Sequence, residues 1–396
     1  MRGIYLTLLD INQGMGYARK VFGQLQGFRA LGVDMELICL GSPNAIVRRR
    51  AKDVSTETPL ASFANLPFAN RVHLFRAALE EIRQTRPDFV YTRYPLCDPL
   101  YVRFLSKVRS RWPACVLVAE IPTYPYGGIN QQLLGGSRRI LGVLDWVSRR
   151  WLRRYLDRVA VVDFDGPVLG VPSISIQNGI EVESIRLRRP GGLERDLRLL
   201  AAANLTFYHG YDRVLAGLRE YAGQAGDRRP VWFELVAPEG DVLAQLRRTA
   251  RRLGVSECVI FHGQRLGGDL DAVYDRCDVG IGALGWHRTE VRRASELKLR
   301  EYAARGLPFV YTAEDRMFTA DVPYWLRVAA DDSPLDIRRV VEFANGVYRD
   351  PGVAEKIRTY ARERLDWAAR MKEVVTEIER LAMTRSAAPT AYGWRS

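Results

Sequence analysis

Lysine is scarce in this chain. Of 59 basic residues only six are lysines (Lys20, Lys52, Lys107, Lys298, Lys356 and Lys372), so arginine is the default cation and a lysine inside a motif calls for a reason. Cysteine is sparse as well. The five cysteines (Cys39, Cys97, Cys115, Cys258 and Cys277) lie far apart with no C-x-x-C pair, which excludes a disulfide framework and leaves reduced, mostly buried thiols as the expectation. The four histidines (His73, His209, His262 and His287) show no ligand spacing, and there is no G-x-S-x-G elbow, so metal-hydrolase and serine-esterase chemistry have no support. The longest apolar runs, such as 197–205, are about half the ~20 residues of a membrane span. Asp10 ends the apolar run from Ile4 to Leu9 before it could serve as a secretory core, and the expected location is the cytoplasm.

Size and positive charge are what the chain does have. Its 396 residues, 47% hydrophobic and 27% charged, suffice for two folded domains at about 150 residues each and are unlike a disordered chain. The net charge of +13 suits an anionic partner: nucleic acid, a membrane surface or a phosphorylated substrate.

Strand, glycine turn, helix and strand follow one another from Arg2 to Leu40, the opening of a doubly wound parallel sheet. Further strands at 89–91, 115–119, 159–162 and 173–176 make residues 1–180 a Rossmann-like domain. Residues 181–196 have turn chemistry and no apolar period, and read as a linker. The pattern restarts at 198–203, giving a second Rossmann-like domain over 197–352. Amphipathic helices follow at 353–382, possible returns to the first domain, and 383–396 reads as a disordered tail. The fold class is α/β, two such domains facing across a cleft.

The most informative segment runs from Ser295 to Val310. Ser295 can cap a helix over 296–305, which puts Lys298 and Glu301 on one face near its positive end. A cation there suits a diphosphate, and a carboxylate one turn deeper can accept from ribose hydroxyls. The competing explanation is an exposed i,i+3 ion pair.

Lys298, Glu301-Tyr302, Ala304, Gly306 and Pro308 together resemble the "K-x-x-E-Y-x-A-x-G-x-P" helix of the family-4 retaining glycosyltransferases, which have the GT-B fold. Asn178-Gly179-Ile180-Glu181, His209-Gly210-Tyr211-Asp212, Phe261-His262-Gly263 and Cys277-Asp278 are similar to further segments of that family, in order, over roughly 1–380. Two positions depart. Arg293 stands where many members carry an acid, with Glu290 and Glu296 on either side, and His209 replaces the usual lysine before Gly210. A bacterial polysaccharide subfamily is similar at both points and also has the segment Glu120-Ile121-Pro122-Thr123-Tyr124-Pro125-Tyr126.

The resemblance implies a transferase that moves a sugar, with retention, from a nucleoside diphosphate donor to an acceptor hydroxyl in cell-surface polysaccharide or other glycan assembly. It implies Lys298 on the leaving diphosphate, Arg213, His209 and Arg288 as helpers, and Glu301, Ser295, Gly263, Gly16 and Glu290 around the nucleotide sugar. Glu120, Thr123 and Tyr124 follow a first-domain strand where an acceptor would sit, unless that loop merely packs its tyrosines. No cofactor and no metal are expected. Asp163-Phe164-Asp165 reads as a turn, and Gly14-Met15-Gly16 lacks the third glycine of a dinucleotide fingerprint. The alternatives are a nucleic-acid-binding protein, for which no recognition motif is present, and an epimerase on the same fold.

Basic residues also concentrate at 137–158, which reads as one long helix. Ile140, Leu144, Val147, Trp151 and Tyr155 recur on one face, among Arg138, Arg139, Arg149, Arg150, Arg153, Arg154 and Arg158. That stripe either packs on the sheet or meets anionic lipid, which would bring the protein to the inner face of the membrane and a lipid-linked acceptor.

Overall fold

A computed structural model of the chain describes residues 1–11, 16–41, 43–66, 68–122, 124, 138–189, 196–225, 228–289 and 291–387. It divides into two compact units, Met1–Gly179 with the chain from Trp367 onward, and Ile180–Asp366.

The first unit is built on an eight-stranded sheet of order β4-β3-β2-β1-β5-β6-β7-β8. Its strands are β1 (Arg2–Asp10), β2 (Asp34–Gly41), β3 (Ala45–Arg50), β4 (Asp53–Ser62), β5 (Phe89–Arg93), β6 (Val116–Ile121), β7 (Arg158–Val162) and β8 (Ser173–Ile176). The pairings from β2 through β1 to β8 are parallel, and β2-β3-β4 form an antiparallel edge. β1 is apolar along most of its length because both faces are covered. Tyr5 joins a core with the helix Gly16–Ala30, while Ile4 and Leu6 join the opposite core with the helices Ala69–Thr85 and Pro99–Arg111. The antiparallel edge had no sequence signal; its Arg, Thr, Glu and Pro content suits a blunted edge rather than a core strand.

The C-terminal helix Trp367–Ala387 packs on Gly16–Ala30. Trp367 is buried there because glycines make room: a Cβ on Gly23 would lie 2.0 Å from its Nε1, and one on Gly179 would lie 2.7 Å from its Cδ2. This helix continues through Met383 to Ala387, where a disordered tail was expected; residues 388–396 lie outside the described residues.

The expected single helix over 137–158 is divided. Arg138–Ser148 is α-helical, Arg149–Trp151 is a 3-10 turn, Leu152–Tyr155 is a further short turn of helix, and Arg158 already belongs to β7.

In the second unit a six-stranded, wholly parallel sheet has the order β11-β10-β9-β12-β13-β14. Its strands are β9 (Leu197–Ala202), β10 (Val231–Val236), β11 (Val259–Gly263), β12 (Val279–Ile281), β13 (Phe309–Tyr311) and β14 (Trp325–Arg327). The stretch expected to be a linker belongs to this unit as far as it is described. Arg188, 1% exposed, donates to the carbonyls of Gly306 (3.2 Å) and Cys277 (3.0 Å) and to the Tyr348 hydroxyl, and Arg358 donates to the Val182 and Ile185 carbonyls. Arginine-to-carbonyl bonds dock the segment, and these leave no hydrophobic period to read. Residues 190–195 lie outside the described residues.

The chain enters this sheet at β9, winds to β11 on one side, then crosses to β12 on the other. The strand order therefore reverses between β9 and β12, and the loops leaving their carboxyl ends flank the position where sheets of this kind bind ligands.

Candidate functional site

Two loops meet at that reversal. The Leu284 N–H donates to the His209 carbonyl (2.8 Å) and the Gly285 N–H to the Tyr208 carbonyl (3.1 Å), lacing the loop after β12 to the loop after β9. Gly210 is required at the contact on two counts. Its φ is +63°, and a Cβ there would lie 2.6 Å from the Gly285 nitrogen.

The helix carrying Lys298 begins one residue later than expected, at Leu297, and runs to Ala304. Ser295 lies one residue before its N-cap position. Glu296 occupies the N-cap position, yet its side chain turns away from its own helix and accepts from the Ala283 N–H (2.9 Å) and the Trp286 indole N–H (2.8 Å). Trp286 stacks on Tyr208 at 4.5 Å between centroids. A buried carboxylate thus ties the helix start to the loop after β12 and, through the stacked Trp286, to the loop after β9, and the Glu296 side chain gives the first N–H groups of its own helix no cap.

Three cations on or just after this helix have different fates. Arg300 is fully buried in a bidentate pair with Asp315. Arg305 lies 4.0 Å from the Tyr274 ring centroid, pairs with Asp271 (2.6 Å) and donates from Nε to Glu301 (3.1 Å). Lys298 instead points back to the β9 loop, its Nζ donating to the Tyr211 hydroxyl at 3.0 Å and lying 5.5 Å from that ring's centroid. Burial lowers its ammonium to about 8 against the partly compensating charge of Glu296. Burial in turn raises the Glu296 carboxyl, opposed by Lys298 and by its two hydrogen bonds.

His209 completes this cluster. Its Nδ1 accepts from the Thr206 N–H (2.9 Å), which places the ring proton on Nε2. Burial and then the charge of Lys298 hold it well below the ordinary histidine range, so it is neutral at pH 7. A cavity of about 250 Å³ opens beside His209 and Asp212, bounded by Gln245, Thr249 and Arg252.

The other expected helpers are already engaged. Arg213, 2% exposed, donates to the carbonyls of Ser333 (2.7 Å) and Leu284 (2.6 Å), and its remaining nitrogen is 3.4 Å from Asp331. It braces the β12 loop rather than offering its fork to a ligand. Arg288 makes a bidentate pair with Asp212 (2.9 and 2.7 Å) and also bonds Asp332 (2.8 Å). Gly263 ends β11 at φ +67° with open space where a Cβ would stand. Gly16 is the first residue of its helix, in the other unit; Glu290 lies outside the described residues.

In the first unit Glu120 departs from the acceptor contact expected of it. It is fully buried at the end of β6 and receives Lys20 (2.8 Å), Gln24 (2.7 Å), the Tyr91 hydroxyl (2.8 Å) and Arg93 (3.3 Å). Burial pushes its carboxyl up, but the two cations and the hydrogen bonds outweigh that and hold it at about 2. It organises the ends of β5 and β6 from inside. Tyr124 packs edge-on against Phe164 at 4.6 Å, as a loop that packs its tyrosines would; Thr123 lies outside the described residues.

Residue types and spacing singled out Lys298 and Glu301, and the family resemblance added His209. They did not reveal Glu296 as the organiser, Trp286, Arg305 or the role of Tyr211, since each acts through a contact distant in sequence.

No family model matches the chain, and no curated protein matches it in sequence. Solved structures do match. The sucrose-phosphate synthase of Thermosynechococcus elongatus superposes with a TM-score of 0.61 at 13% identity, over 98% of this chain and 100% of that one. A glycosyltransferase from Rickettsia africae ESF-5 gives 0.64 at 11% identity, over 96% and 98%. Anabaena HepE, solved in complex with UDP-glucose, gives 0.56 at 14% identity, over 98% and 100%. Likeness at such identities is likeness of fold: the chain is an α/β protein with two Rossmann-like units, the GT-B fold.

Proposed function

We propose that the chain is a glycosyltransferase taking its sugar from a nucleoside diphosphate donor bound to the second unit. The observation that carries this is the placement of Lys298. A partly desolvated ammonium stands at the start of a helix whose N-cap side chain, Glu296, is turned elsewhere, beside the strand-order reversal, with a neutral imidazole N–H nearby. In such a sheet this is where a diphosphate is held, by helix N–H groups and a cation together.

Breaking the anomeric bond leaves negative charge on the diphosphate. Lys298 lowers the cost of that charge, most effectively with water excluded. His209 donates from Nε2 without adding a second full charge, and Glu301, steadied by Arg305, accepts from the ribose hydroxyls. Transfer with retention, a glycan or lipid-linked acceptor, a cytoplasmic site of action and no need for a metal follow from the family resemblance of the Lys298 segment.

Thermal unfolding against a panel of nucleoside diphosphates tests the proposal. One base should stand out, since a ligand at a hundred times its Kd stabilises by about 2.7 kcal/mol. Lys298→Ala and Glu301→Ala should remain folded and lose that shift, at about 1.5–3 kcal/mol for each charge-assisted contact. If no nucleotide raises the melting temperature, the assignment fails.

A further inference from the structure

The segment following residue 137 leaves an apolar face without a partner among the described residues. Ile140 (59% exposed), Val143 (63%), Trp146 (68%), Val147 (39%) and Trp151 (47%) all face outward. They are five of the eleven exposed large hydrophobics among the described residues, gathered within twelve positions. Scattered singly, such residues would need no explanation; clustered, they do.

Ile140, Val147 and Trp151 belong to the stripe that the spacing of Ile140, Leu144, Val147, Trp151 and Tyr155 selected, so most of that stripe is turned outward and none of it is buried. At 3.6 residues per turn the buried line, Asp145, Ser148 and Leu152, is rotated from that stripe by about 90°. Asp145 sets the rotation. Its carboxylate is buried and accepts from the Tyr94 hydroxyl (2.6 Å) and the Cys97 N–H (2.7 Å), bonds that would be lost if the helix rolled to bury Trp146. Asp145 is also the lone acid between residues 121 and 156. With it turned inward, the outward side carries apolar groups and arginines. Arg150, Arg153 and Arg154 are exposed there and form no ion pair among the described residues.

We propose that this face docks on an anionic membrane surface. Tryptophans are amphipathic enough for the headgroup boundary, and arginines can place their stems along apolar surface while their guanidinium groups reach lipid phosphates. A second copy of the chain is a poor occupant, because a symmetric pairing would oppose the same arginines without an acid between them. The surface lies wholly in the first unit and does not depend on the chemistry proposed for the second.

The test is flotation of the full chain with phosphatidylglycerol-containing vesicles, against phosphatidylcholine alone, at low and high salt. The wild type should float with the anionic vesicles at low salt only. Replacing Arg150, Arg153 and Arg154 by Gln should weaken partitioning about a hundredfold, from about 1 kcal/mol per charge near such a surface. Trp146→Ser with Trp151→Ser should weaken it too, with the melting temperature of either variant unchanged because the replaced side chains are exposed. A wild type that stays with the free protein overturns the proposal, as do variants that float like it. Self-association abolished by the tryptophan changes, with no lipid binding, would assign the face to a second copy instead.

Discussion

Lys298 is held where an ammonium is uncomfortable, and that has a measurable consequence. Its folded-state value of about 8 lies below the ordinary 10.5, so between the two the unfolded chain binds more protons than the folded one. Stability therefore rises with pH across that window, and the penalty of the buried charge is fully present below about 8. Lys298→Met should make the second unit more stable at pH 7, by ~1–3 kcal/mol after the loss of the Tyr211 bond, while removing nucleotide binding. Denaturant unfolding at pH 7 and pH 10 checks both the gain and its disappearance. A destabilised variant would mean that the lysine serves the fold and not a ligand. The neighbouring acid gives a second handle. Glu296→Gln removes the charge that supports the ammonium, so the alkaline limb of a nucleotide-binding profile should move to lower pH; an unmoved limb would separate Glu296 from the site.

At the scale of elements, the site depends on two loops meeting closely. Gly210 combines a left-handed backbone with a contact that has no room for a methyl group, and the group it meets is backbone, which cannot rotate away. Gly210→Ala should cost ~1–3 kcal/mol from the backbone conformation alone, with further loss from displaced Gly285. Thermal unfolding of the variant reads this cost. A near-normal melting temperature would show that the loops part easily and that their lacing contributes little. By contrast, Gly263 has the same left-handed φ with open space around it, so there the backbone conformation alone disfavours a side chain.

The whole molecule is two units, but the chain does not visit them in simple succession. It leaves the first at Gly179 and returns at Trp367, so the first sheet lacks part of its cover until the last helix has been made. Trp367 is the anchor, set among Gly23, Gly27 and Gly179. Trp367→Ala should cost about 3–5 kcal/mol, as large aromatic truncations in cores do, and the loss should fall on the first unit. Urea unfolding followed by hydrogen exchange would show strands β1 to β8 opening early while β9 to β14 keep their protection. Equal loss in both sheets would contradict this division of the chain.

Much of this protein was legible in one dimension. Apolar runs spaced by helical segments announce two parallel sheets, because strands covered on both faces need continuous hydrophobic stretches. The Lys298 segment stood out because a rare residue lay in an ordered set of motifs. Other features became visible only when distant residues met. Arg213, Arg288 and Glu120 looked available as ligand contacts, yet the fold gives each of them partners far along the chain, for Arg213 and Glu120 because a buried charge must be paired. The helix at Arg138–Ser148 makes the same point. Its apolar period was readable, but the side that faces inward was chosen by Asp145, whose partners on a separate strand-to-helix loop no helical period can contain.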